Sequence, residues 1–352
     1  MTVPLADRLR LQAGQCGLLG SVLTSRLLLA AAADLEAGGP TREVLGPLED
    51  DPAGSVPALR LAGALHRLVL ERRAPALALH YPSVGGTVGD LWPAAREVLE
   101  QQGEELAALV ARPVQTNEVG RSSVLLGGLL HTRQACGAHR PGLPVRLLEV
   151  GASGGLNLLV DRYAYRVADG VVLGDPASPM RLDLPWQGRH PAYDVVEVVQ
   201  RRGCDPAPLD PASTQDRLTL TSYVWADQVE RLERLRGAFA VAGRHRITVE
   251  QLPASEFLRR ELATPAPGVM TVVWQSVVQQ YLAPQERRSV EALLVEAGER
   301  ASPDAPLVHL AMEPARTPDE GLAFLLTMRI WPGGRPRVLA DCAGHGPPVL
   351  WR

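Results

Sequence analysis

Lysine is absent: all 36 basic residues of the chain are arginine. That excludes a Schiff-base lysine and a phosphate-loop lysine at once. Cysteine is scarce, and Cys16, Cys136, Cys204 and Cys342 lie far apart with no C-x-x-C pair, so neither a zinc site nor a disulfide framework is expected. Aromatics make up only 4% of the residues, beside much alanine, proline and arginine, a bias that reads as genome composition. Long apolar runs are missing too; Leu27 to Ala33 is too short to span a bilayer and has charges on both sides. The N-terminus lacks the basic start, apolar run and small-residue cleavage site of a secretory signal. A net charge of −3 leaves no electrostatic footprint for nucleic acid or anionic membrane. These absences describe a soluble, reduced, cytoplasmic protein with neither nucleic acid nor membrane as partner.

What is present is enough apolar residue, 46% of 352, to bury one large core or two smaller ones. The stretch that organises the chain is Val145 to Leu159: a short apolar strand, a small-residue bend over Gly151-Ala152-Ser153-Gly154-Gly155, and the start of a helix. Such a bend lets backbone N–H groups approach a nucleotide closely, with a helix N-terminus aimed at it. Glu149 stands at the strand's carboxyl end. Asp205, after a second strand read at 194–199, is placed as the acid that accepts from ribose hydroxyls, although it lies 54 positions beyond Gly151 where the common fingerprint has roughly 20. A β-hairpin insertion at 164–194, with turns at Asp169-Gly170 and Gly174-Asp175-Pro176, accounts for the excess.

Upstream, apolar spacing of three and four predicts helices over Leu5–Ala33, Val56–Arg73 and Leu91–Ala111, so residues 1–115 read as a helical cover or substrate domain. Between them His80-Tyr81-Pro82-Ser83-Val84-Gly85-Gly86 reads as a loop. Residues 116–352 read as the second domain. Asn117, Glu118 and Arg121 share one face at the head of an apolar helix, as a capped start or as side chains aimed into a pocket. Beyond Asp205 the pattern alternates: helix 218–242, strand 246–251, short helix 256–262, strand 269–274, helix 285–300, strand 307–312, strand 321–330, a Pro332-Gly333-Gly334 turn and strand 337–341. That order predicts an α/β fold with a doubly wound, mostly parallel, seven-stranded sheet closed by an antiparallel hairpin.

The order of glycine bend, acidic strand end and closing hairpin resembles the Rossmann-like class I S-adenosylmethionine-dependent methyltransferase fold. The whole chain is similar to a largely actinobacterial group, domain-of-unknown-function family 2332. The matching stretches are His80 to Gly86, Asp90-Leu91-Trp92-Pro93, Gln115 to Ser122, Leu148 to Leu159, Asp161-Arg162-Tyr163, Gly174-Asp175-Pro176, Arg202-Gly203-Cys204-Asp205 and Trp331-Pro332-Gly333-Gly334. The resemblance implies S-adenosylmethionine as cofactor, S-adenosylhomocysteine as product, and a small-molecule methyl acceptor. A lyase or cyclase acting on the same cofactor, or a non-catalytic protein retaining the fold, are the alternatives. Two departures stand out: Ser153 replaces the bend's middle glycine, and Leu252-Pro253-Ala254-Ser255 has no acid where such enzymes contact the adenine amine.

On that resemblance Glu149, Gly151, Ser153, Gly155, Asn157, Asp205, Ser255 and Gln275 are the expected cofactor contacts. Tyr81, Asn117, Arg121 and Asp175 are the expected substrate contacts, and Glu118, Tyr281 and Gln275 the catalytic candidates. Each has a plain alternative as a cap, an ion pair or packing. His80, His131 and His309 are read as structural or solvated, and no metal site is expected. A homodimer is one expected state, which nothing in the sequence selects.

Overall fold

A computed structural model of the chain describes residues 3–137, 142–167, 170–316 and 322–352. In chain order its α-helices are α1 (Leu5–Leu18), α2 (Val22–Glu36), α3 (Pro40–Leu45), α4 (Pro57–Leu70), α5 (Pro75–Ala78), α6 (Trp92–Gln101), α7 (Gly103–Val110), α8 (Ser122–Gly137), α9 (Thr214–Ser222), α10 (Val229–Ala242), α11 (Ala254–Glu261) and α12 (Pro284–Glu299). Its strands are β1 (Val145–Val150), β2 (Ala164–Arg166), β3 (Val172–Gly174), β4 (Arg181–Asp183), β5 (Trp186–Gly188), β6 (Val198–Asp205), β7 (Val249–Gln251), β8 (Met270–Ser276), β9 (Leu307–Arg316), β10 (Leu322–Trp331), β11 (Arg337–Ala343) and β12 (Gly346–Trp351). The chain divides into two compact units, Met1–Thr116 with Ser213–Glu233, and Asn117–Ala212 with Arg234–Arg352.

The first unit is helical, around a core of Leu9, Leu27, Leu28, Leu61, Leu65, Leu68 and Trp225. The single apolar run Leu5–Ala33 is two helices, because Gly20 takes φ +86° and Ser21 restarts the chain by accepting a bond from Thr24 N at 3.3 Å. Ser213–Glu233, read from the sequence as part of the second domain, belongs here: Tyr223 lies over Gly63, where even a methyl group would meet its ring at 2.8 Å.

The second unit is a mixed α/β body whose main sheet runs β5-β12-β11-β10-β9-β8-β1-β6-β7. β7, β6, β1, β8 and β9 are parallel, and β9 to β12 form an antiparallel meander. β1 and β8 are buried along almost their whole length, as parallel strands covered on both faces are. The sheet therefore has nine strands, not the seven expected, and is mixed at one side. Pro347 and Pro348 argue against a strand, so the sequence pattern does not announce β12. The insertion holds more than the expected hairpin: β2 and β3 pair antiparallel, β4 adds a third strand to that separate sheet, and β5 joins the main sheet beside β12. Asp169 and Gly321, to which sequence reading gave a turn and a strand start, lie outside the described residues.

The chain builds outward from β1 to β6 and β7 on one side, then crosses back to β8 and β9 on the other. The order reverses between β1 and β8, so a crevice for ligands belongs at the carboxyl ends of those two strands. Among the described residues no helix is long and apolar enough to cross a membrane.

Candidate functional site

At the carboxyl end of β1 the backbone turns sharply, with Gly151 at φ +69°, Ser153 at +51° and Gly155 at +69°. Left-handed conformations are natural for glycine and uncommon for serine. The bend is fastened from inside. Gly151 N and Ala152 N donate to Cys204 O at 2.9 and 3.0 Å, and Gly155 N donates to Ala152 O at 2.7 Å. Ser153 N donates to Asp205 Oδ2 at 3.0 Å, and Leu156 N to Asn117 Oδ1 at 2.9 Å. A side chain at 151 would strike Val278 Cγ2, and one at 155 would strike Ile247 and Val249. The two flanking glycines thus serve tight packing of the bend against the loop after β8 and against the start of β7. Asp205 is the last residue of β6, not part of a loop beyond it, because β6 begins four residues later than sequence reading placed its strand and runs on to 205. Its second oxygen accepts from Ala207 N at 2.9 Å.

Beside the bend lies a buried polar group that sequence reading found only in part. Glu149 on β1 is in register with Trp274 on β8 and Gly203 on β6. Glu149 Oε2, Asn157 Oδ1 and Trp274 Nε1 are buried without a hydrogen-bond partner among the described residues. Burial pushes the Glu149 carboxyl up to about 8, and the negative charge of Asp205 adds to that; the nearby Asn157 amide, Arg121 guanidinium and Trp274 indole counter it in part. At neutral pH this carboxyl is mostly protonated and therefore a donor as well as an acceptor. The sequence signal for Trp274 is a ring with one N–H donor directly after the aliphatic pair Val272-Val273 of a buried strand.

On the other face of β8, Gln275 Nε2 donates to Glu313 Oε1 at 3.0 Å, and its Oε1 meets His309 Nε2 at 3.2 Å. Glu313 Oε1 also accepts from Val278 N at 3.1 Å. Between them Val277 sits at φ +54°, a strained position for a β-branched residue. Burial is the main cause holding the Glu313 carboxyl above its usual range. His309 is half-buried, and desolvation lowers its pKa to about 4, so the ring is neutral. Neither Glu313 nor Val277 was singled out from the sequence; an acid late in an apolar strand was the available cue for the first, and no cue existed for the second.

The remaining expected residues scatter. Glu118 Oε1 accepts from Gly120 N at 2.9 Å, closing the turn ahead of α8. Arg121 donates to two carbonyls, Gly344 O at 3.1 Å and Ser276 O at 3.2 Å, and so ties the β11–β12 turn to the end of β8. Ser255 gives its N–H and hydroxyl to the Glu286 carboxylate, at 2.8 and 3.0 Å. Asp175 is exposed and caps its own turn through Ala177 N at 2.9 Å. Tyr281 is exposed, and Tyr81 is buried in the first unit. The structure thus gathers Glu149, Gly151, Ser153, Gly155, Asn157 and Asp205 at one place, with Asn117 fastened to the same bend.

A family profile described as "Uncharacterized protein conserved in bacteria (DUF2332)" matches residues 6–351, and the chain belongs to that family. No curated protein and no solved structure matches it.

Proposed function

Proceeding from that membership, we propose that the protein is an S-adenosylmethionine-dependent methyltransferase acting on a small molecule, with the nucleoside held at the carboxyl ends of β1 and β6. The observation that carries this reading is a left-handed glycine bend at the end of β1, beside the point of strand-order reversal, hydrogen-bonded to the acidic end of the neighbouring strand β6. The residues fit the group in kind. Asp205 offers carboxylate lone pairs to ribose hydroxyls, and Glu149 and Asn157 hold orphaned acceptors beside the same bend. The cofactor, when bound, supplies an electrophilic sulfonium carbon. The chain's own task is to align a nucleophile with that carbon and exclude water. Gln275 and Tyr281 stand at the end of β8 and just after it, where an acceptor would approach. Cofactor-consuming chemistry without methyl transfer, of lyase or cyclase type, uses the same geometry; a labelled-methyl assay separates it.

A second reading, a protein that keeps the architecture without the ligand, draws on two observations. The bend's named amides are bonded within the protein, and Ser153 puts a side chain where the nucleotide fingerprint has a glycine for close approach. Calorimetric titration with S-adenosylhomocysteine decides between them. Saturable heat at micromolar ligand, weakened at least tenfold in Asp205→Asn, is expected. No heat at millimolar ligand leaves the second reading standing.

A further inference from the structure

The loop His80 to Gly86, conspicuous in the sequence, plays no part in the site above. In the structure it carries a serine aimed at a histidine. His66 on α4 is buried, and its Nδ1 lies 3.1 Å from Ser222 O while its Nε2 lies 2.9 Å from Ser83 Oγ. A carbonyl can only accept, so Nδ1 carries the proton. Desolvation lowers the His66 pKa to about 4, so the ring is neutral at physiological pH and Nε2 holds a lone pair. The Ser83 hydroxyl must then donate to Nε2. This is the nucleophile–base–orienter arrangement of covalent catalysis, with a backbone carbonyl as the third member. Ser222 supplies it as the last residue of α9, where carbonyls lack partners within the helix.

The serine is well placed for such a role. It sits partly exposed in the tight turn Pro82–Val84, while the imidazole behind it is buried. The turn is fixed by Val84 N to Tyr81 O at 3.1 Å and Gly86 N to Tyr81 O at 3.0 Å. Tyr81 packs its ring 5.5 Å from that of His66, and its hydroxyl is buried without a partner among the described residues. Tyr81 to Gly86 contains no charged residue, which suits an uncharged acyl group better than a phosphoryl group.

We propose that Ser83 is a nucleophile activated by His66, giving the first unit an acyl-transfer site for small carboxylic esters. Ser83 Oγ bonds to the ester carbonyl carbon as its proton passes to His66 Nε2. The bond from that carbon to the alkoxide oxygen then breaks, and the departing oxygen takes the proton from Nε2. Water repeats the sequence on the acyl-serine, releasing the carboxylic acid and restoring Ser83. The site rests on the first unit alone and stands or falls independently of the nucleoside reading.

The test is reaction of the full-length protein with a fluorophosphonate, which forms an O–P bond and releases fluoride, followed by mass-spectrometric mapping. One adduct at Ser83 is expected in the native protein, absent from Ser83→Ala and from protein unfolded in urea. His66→Gln should slow labelling about 100-fold, the low end of what a lost general base costs. Lack of an adduct at Ser83, equal labelling in urea, or an unchanged rate in a folded His66→Gln protein would overturn the assignment. Should His66→Gln fail to show a cooperative melt, the native-versus-urea comparison and Ser83→Ala decide.

Discussion

At the scale of single residues, Glu149 is the most informative group in the second unit. Its carboxyl is raised, chiefly by burial, from an ordinary 4.5 to about 8. The folded protein therefore keeps a proton that the unfolded chain releases. Its contribution to stability is full below pH 4.5 and is lost as pH rises toward 8. Between pH 5 and 8 that loss is about 3 kcal/mol, at ~1.4 kcal/mol per unit. Glu149→Gln cannot ionise, so its stability relative to wild type should rise by about 3 kcal/mol over the same interval in urea unfolding. A difference independent of pH would show that Glu149 is ionised in the fold. His66 and His309, both lowered to about 4 by burial, act in the opposite sense: their contribution is lost as pH falls from 6.5 toward 4. Both proteins share that loss, so it cancels. Asn117 and Asn157 are the chain's only asparagines, and both lie at the bend, one bonded to Leu156 N and one with an orphaned oxygen. That asparagine is confined to these two positions is legible in the sequence; which backbone group each serves is not.

At the scale of elements, the bend after β1 and the loop after β8 are one packed unit. Gly151 is left-handed and pressed against Val278, and Val278 is in turn held by Glu313. Gly151→Ala should cost about 3 kcal/mol, combining a left-handed alanine with a steric collision. Gly142 provides the control: it is also left-handed, at φ +82°, but has open space around it among the described residues, so Gly142→Ala should cost only about 1 kcal/mol. In a double-mutant cycle Val278→Ala should recover the steric part, a coupling of about 1–2 kcal/mol between two residues 127 positions apart. Additive effects would mean that the loop moves freely from the bend. The glycines themselves were legible from the sequence as a close approach; that the approaching group is Val278 was not, because nothing in the sequence pairs these loops.

At the scale of the molecule, the first unit is built from two separate stretches of chain. Ser222 orients His66, and Arg67 Nη1 donates to Gln215 O and Thr219 Oγ1, both at 2.8 Å. Asp227 accepts from Ser21 Oγ at 2.6 Å and from Leu23 N at 2.8 Å, anchoring the start of α2. A fragment of residues 1–116 lacks all these partners and leaves buried polar groups unpaired. It should show no cooperative thermal transition, whereas the full chain does; a cooperative melt of the fragment by circular dichroism would refute this. The boundary expected near residue 115 rested on a change of pattern from helical to alternating, which locates where one fold type ends but not which later helix returns to it.

The residues alone determined the alternation of strands and helices, the buried parallel centre, the bend at 151–155 and the family, because each is written in local periodicity and short motifs. Tertiary structure decided the rest. The number of strands turned on β5 and β12, short elements whose pairing is invisible in their own composition. The pairing of Glu149 with Trp274 came from register between strands some 125 positions apart. The meeting of His66 with Ser83 and Ser222 came from packing of three elements. Such contacts arise from the burial of whole faces, and a linear pattern specifies that a face is buried without specifying against what.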